Sequence, residues 1–136
     1  MFDPCSPAAH SDSVSAVRLG FLDPSEFLSL LDQSHDTAWN QKTYRNELKQ
    51  FRQTRSLFIQ GDPETPFNLS PDCPIHHPHL YEALAKTLEF FSTYGLTQTC
   101  KILAGELAPG GTVGLHRDPK HYRSLRRFHW VLKTNE

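Results

Sequence analysis

The chain has 136 residues, enough for one domain with a sizeable core. Hydrophobic residues make up 38% and aromatic residues 11%, a globular composition rather than a disordered one. A formal net charge of -1 removes any global electrostatic case for nucleic acid or an anionic membrane as partner.

The three cysteines, Cys5, Cys73 and Cys100, form no CxxC pair. An odd, sparse set argues against a secreted disulfide framework and suits a reducing compartment. The N-terminal stretch MFDPCSPAAHSDSVSAV has neither a basic start nor an apolar core of signal-peptide length. No apolar run approaches the roughly 20 residues needed to span a bilayer. The expectation is a cytoplasmic protein with no membrane span.

Residues 1–16 are rich in Ser, Pro, Ala and Asp, show no period of 2 or 3.6, and read as a lead-in to a domain over 17–136. Residues 17–22 have strand character and stop at Asp23-Pro24. A helix is expected from Pro24 to about Ser34, with Phe27, Leu28, Leu30 and Leu31 as its apolar face. Asp23 is placed as its N-cap and Pro24 at its first position. Between Trp39 and Arg55 the sequence is polar, with Trp39, Tyr44, Leu48 and Phe51 at roughly helical spacing, and reads as a loop with a short helix.

Residues 56–60 (SLFIQ) read as a strand closed by Gly61-Asp62-Pro63. The next stretch holds prolines at 63, 66, 71, 74 and 78 and must be irregular, because each removes a backbone donor and fixes φ. From 79 to 94, Leu80, Leu84, Leu88 and Phe91 repeat at helical spacing, and Gly95 sits where a left-handed cap belongs. The period then changes to two. Cys100, Ile102 and Ala104 fall on one face of a strand over 97–108, and Lys101, Leu103 and Gly105 on the other. Further strands are expected at 113–115 and 128–132. Helices before strands indicate an α+β fold with a sheet-based core.

The stretch from Ala104 to Asn135 carries the chemistry. His116 and Asp118 lie two apart at the end of an expected strand, so an imidazole and a carboxylate point to one side and can share an ion. They supply two of the three ligands of the 2-His-1-carboxylate arrangement used for Fe(II). Arg127 and His129 also share a face by the period of two. Arg117, Lys120, Arg123 and Arg126 read as a solvated basic loop, and His121 as a surface residue.

The combination L-x-P-G-G-x-V-G-x-H-x-D, followed by Y-R-S-L-R-R-x-H-x-x-L-x-T-N, resembles the aspartyl/asparaginyl β-hydroxylase family of Fe(II)- and 2-oxoglutarate-dependent oxygenases. The resemblance is strongest over residues 102–135, about a quarter of the chain. It implies a double-stranded β-helix, a jelly-roll or cupin-like core, with the N-terminal helices packed on it. It implies that His116 and Asp118 hold iron, and that Arg127 and His129 hold 2-oxoglutarate. A guanidinium grips a carboxylate bidentately, and a neighbouring imidazole adds a donor. Pro109-Gly110-Gly111 becomes the turn that reverses the chain ahead of His116. The implied reaction hydroxylates an unactivated C–H bond of a peptidyl residue, a free amino acid or an acyl chain.

The family also places a second histidine and a further arginine several strands downstream. Only seven residues follow His129, and none is a histidine or an arginine. Three explanations follow: a truncated piece of a longer hydroxylase, strands supplied by a partner copy through exposed sheet edges, or a short form that has lost catalysis. The first is the expectation, with a catalytically inactive interaction module as the rival. A cluster of Cys73, His76, His77 and His79 raises zinc, but structural zinc usually takes two separated ligand knuckles and only one is present.

Overall fold

The computed structural model of the protein describes residues 17–112 and 125–134. The expected lead-in and the strand expected at 113–115 lie outside them. The described fold is α+β: helices α1 (Ser25–Asp32) and α2 (Asp36–Trp39), strand β1 (Thr54–Gln60), helices α3 (Pro78–Ala83) and α4 (Ala85–Ser92), then strand β2 (Ile102–Leu107). Two 3-10 turns, Tyr44–Glu47 and Lys49–Phe51, precede β1.

The sheet among the described residues has two strands. β1 pairs antiparallel with β2 through Thr54↔Leu107, Leu57↔Ala104 and Phe58↔Leu103, with an irregularity between Phe58 and Gln60. No double-stranded β-helix core is formed by these residues. Burial is continuous along β1 from Ser56 to Gln60, which requires cover on both faces. On one face Leu57 and Ile59 join Phe27, Leu31, Trp39, Leu80 and Leu84 in the main core. Ile102 and Ala104 pack against the same cluster, as the period of two predicts. The other face carries Phe58, only 1% exposed and met edge-on by Tyr44 at 5.9 Å between ring centroids. Arg45 Nε also donates to Ser56 Oγ at 3.0 Å. Among the described residues the 3-10 turns therefore cover this face of the sheet.

Several expectations meet the structure closely. Helix α1 begins at Ser25, one residue after the expected start, so Pro24 and not Asp23 is its N-cap, while Asp23 Oδ1 still accepts from the Ser25 amide at 3.0 Å and its hydroxyl at 2.6 Å. Those two bonds, the hydroxyl's first, hold the Asp23 carboxyl below its ordinary range. The proline-rich stretch is irregular, and Thr43 with Asn46 forms a capping box at the first 3-10 turn.

Other expectations need correction. Residues 17–22 form no strand: Leu19 O accepts from Tyr94 Oη and Leu22 O from Trp130 Nε1, so side chains take bonds that a ladder would need. The helix expected over 79–94 is two helices. At Leu84 (φ -85°, ψ 0°) the amide bonds three residues back, to Tyr81 O at 3.1 Å, and α3 ends there. The strand over 97–108 shortens to β2, its first residues forming a loop tied to Gln60. Residues 128–132 form no strand.

Gly95 does hold a left-handed conformation, φ 104°, after α4. A Cβ there would run into the Arg126 guanidinium, whose Nη1 donates to Tyr94 O at 2.8 Å. Gly95→Ala is expected to lower stability by about 1–2 kcal/mol, through backbone strain and the displaced arginine. A denaturant midpoint unchanged from the parent would contradict this packing.

Candidate functional site

The chain leaves β2 through a turn with Pro109 and Gly110 at its centre. Gly111 N donates to Ala108 O at 2.8 Å, and Gly110 has φ 72°, the arrangement in which proline precedes a residue of positive φ. Gln53 pins both ends: its backbone carbonyl accepts from Ala108 N at 3.0 Å and its Oε1 from Thr112 N at 2.6 Å. Pro109-Gly110-Gly111 is thus the expected chain reversal. His116 and Asp118, with Arg117, Lys120, His121 and Arg123, lie outside the described residues.

Arg127 and His129 are described. Their segment, 125–134, has no strand partner among the described residues, yet burial alternates from 127 to 133. Phe128, Trp130 and Leu132 are half-buried, while Arg127, His129, Val131 and Lys133 are exposed. Phe128 packs on Phe91 at 4.7 Å between ring centroids, and Trp130 stacks on Phe27 at 5.7 Å. Trp130 and Leu132 reach the main core. The inward aromatics thereby present Arg127 and His129 on one common, outward side, the relation that the period of two predicts.

The Cys73 and histidine cluster is used differently. His76 Nε2 donates to Gly61 O at 2.7 Å, and its amide donates to Ile59 O, which docks the proline-rich segment on the end of β1. His77 is held below its ordinary pKa by burial first, then by the neighbouring His76 and His79. Buried Cys73 is a free thiol whose Sγ lies 3.6 Å from Asn68 O. Among the described residues no three His, Cys, Asp or Glu side chains gather as a group that could hold a metal ion.

Sequence reasoning passed over Gln60. This side chain is 3% exposed and links three segments. Its Nε2 donates to Cys73 O at 3.4 Å and Thr99 O at 3.1 Å, while its Oε1 accepts from Thr99 Oγ1 at 2.6 Å. A polar residue ending a buried apolar strand is the signal that marks it, because such a group must find partners.

Among the described residues no helix is long and apolar enough to cross a membrane. Comparison with protein-family models, with curated proteins and with solved structures finds no match.

Proposed function

We propose that the chain is an Fe(II)- and 2-oxoglutarate-dependent oxygenase of the aspartyl/asparaginyl hydroxylase type, acting in the cytoplasm on a small-molecule or peptidyl substrate. His116 and Asp118 hold the iron, and Arg127 and His129 hold 2-oxoglutarate. The observation that carries this reading is the shared outward side of Arg127 and His129, set by the inward packing of Phe128 and Trp130. The turn at Pro109-Gly110 adds support, since it stands where the motif needs a reversal before His116. The fold that this reading implies is the double-stranded β-helix.

The chemistry follows from the residue types. Imidazole nitrogen and carboxylate oxygen suit ferrous iron and leave coordination positions open. Arg127 offers two parallel N–H donors to a carboxylate of 2-oxoglutarate, and His129 a further donor beside it. Bound iron supplies the chemistry that couples loss of CO2 from 2-oxoglutarate to insertion of one O2 oxygen into a C–H bond, leaving succinate and an alcohol. With two protein ligands assigned, binding of Fe(II) is expected to be weak.

A second reading, an inactive interaction module that self-associates through a sheet edge, draws on the two-stranded sheet of the described residues. Anaerobic titration with Fe(II) and 2-oxoglutarate separates the two. The oxygenase reading predicts a visible charge-transfer band at millimolar iron that is lost in His116→Ala and in Asp118→Ala. No band, or a band indifferent to both substitutions, leaves the interaction module.

A further inference from the structure

A groove of about 650 Å³ lies between α4 and the segments 71–75 and 96–99. Small-molecule sites commonly measure about 300–1,000 Å³. Gln60 fixes its floor, because both ends of the buried amide are committed to Cys73 and Thr99. Those bonds join the two segments on either side of the floor and hold the shape without help from a ligand. Tyr81, Leu88 and Leu96 supply half-buried apolar wall.

The rim is acidic. Asp72 and Glu89 are both exposed there, and among the described residues neither carboxylate has a hydrogen-bond or ion-pair partner. None of the described residues lining the groove is Lys, Arg or His. An anion would meet repulsion that no described lining residue offsets. A cation meets two carboxylates beside an apolar wall that includes Tyr81.

We propose that this groove binds an amine, a small molecule whose apolar body lies on Leu88, Leu96 and Tyr81 and whose protonated nitrogen sits at the Asp72 and Glu89 rim. It uses none of the residues assigned to iron or 2-oxoglutarate, so it stands or falls separately from the oxygenase reading.

The full chain, labelled with nitrogen-15, is titrated with 4-phenylbutylamine and, in parallel, with 4-phenylbutyrate, which has a similar body and the opposite charge. The amine is expected to give saturable shifts at the backbone amides of residues 72–73 and 96–99, weakening as salt is added. The Asp72→Asn, Glu89→Gln double variant is expected to bind the amine about tenfold less tightly, a loss of the size that two partly screened charges provide. Both positions are exposed, and the same spectra report whether the variant keeps the fold. The proposal is overturned if the acid binds as well as the amine. It is equally overturned if neither binds, if the shifts fall outside the groove, or if a folded double variant keeps the parent affinity.

Discussion

Phe58→Ala is expected to cost about 3–5 kcal/mol of folding stability, the range for emptying a buried aromatic site. Phe58 is among the largest fully buried side chains of the described residues, and its face of the sheet looks away from the helices. What covers it is Tyr44 with the 3-10 turns, and Arg45 seats those turns by donating to Ser56. The ring at Tyr44 is itself tied down, since Lys101 Nζ donates to its hydroxyl at 2.6 Å. Emptying the site therefore leaves a cavity under a layer with few ways to collapse. Domains of this size have about 5–15 kcal/mol in total, so the variant should be largely unfolded in mild denaturant. Urea unfolding followed by tryptophan fluorescence makes the comparison. A loss below about 1 kcal/mol would mean that this face is open to solvent.

The second large effect is at Trp130. Its ring stacks on Phe27, its indole Nε1 donates to Leu22 O at 3.2 Å, and it packs on the main core. Segment 125–134 has no ladder bonds among the described residues, and these contacts help position it together with Phe128 on Phe91 and Arg126 on Tyr94 O. Trp130→Ala is expected to cost about 3 kcal/mol, slightly less than a fully buried aromatic because the ring is half-buried. Trp130→Phe keeps the stack and loses the hydrogen bond, for about 1 kcal/mol. The functional consequence distinguishes this segment from ordinary core. With the anchor gone, Arg127 and His129 lose their common side, and 2-oxoglutarate binding should weaken more than Fe(II) binding. Equal stability losses for the two variants would show that the ring's packing contributes little.

How much of this could be read from the sequence depended on the range of the interaction concerned. Local chemistry was legible. Asp23 with Pro24 marked the start of α1, Gly95 the end of α4, and Pro109-Gly110 the turn after β2, because each needs only a few neighbouring residues. Alternation gave the core face of β2 at Ile102 and Ala104 and the exposure pattern at 127–132, since burial acts on side chains one at a time. It did not give hydrogen-bond partners. Residues 127–132 alternate as a strand does, yet they rest on Phe27 and Phe91 without pairing among the described residues. The break at Leu84 was hidden because the apolar repeat runs through it unchanged. The groove was hidden too, since Gln60 draws its partners from Cys73 and Thr99, far away along the chain. Of the candidate site, the alternation that leaves Arg127 and His129 exposed was legible, and the roles of these two, like those of His116 and Asp118, rest on the motif.

The most direct measurement is the 2-oxoglutarate dependence of the anaerobic charge-transfer band, taken at fixed saturating Fe(II) for the parent chain and for Arg127→Ala. Losing a charge-assisted pair of hydrogen bonds should raise the 2-oxoglutarate concentration for half-development about ten- to hundredfold. The iron requirement should stay where it was, because Arg127 is not an iron ligand in this account. A band that forms at the same 2-oxoglutarate concentration in both chains, or that forms in neither, would contradict the assignment.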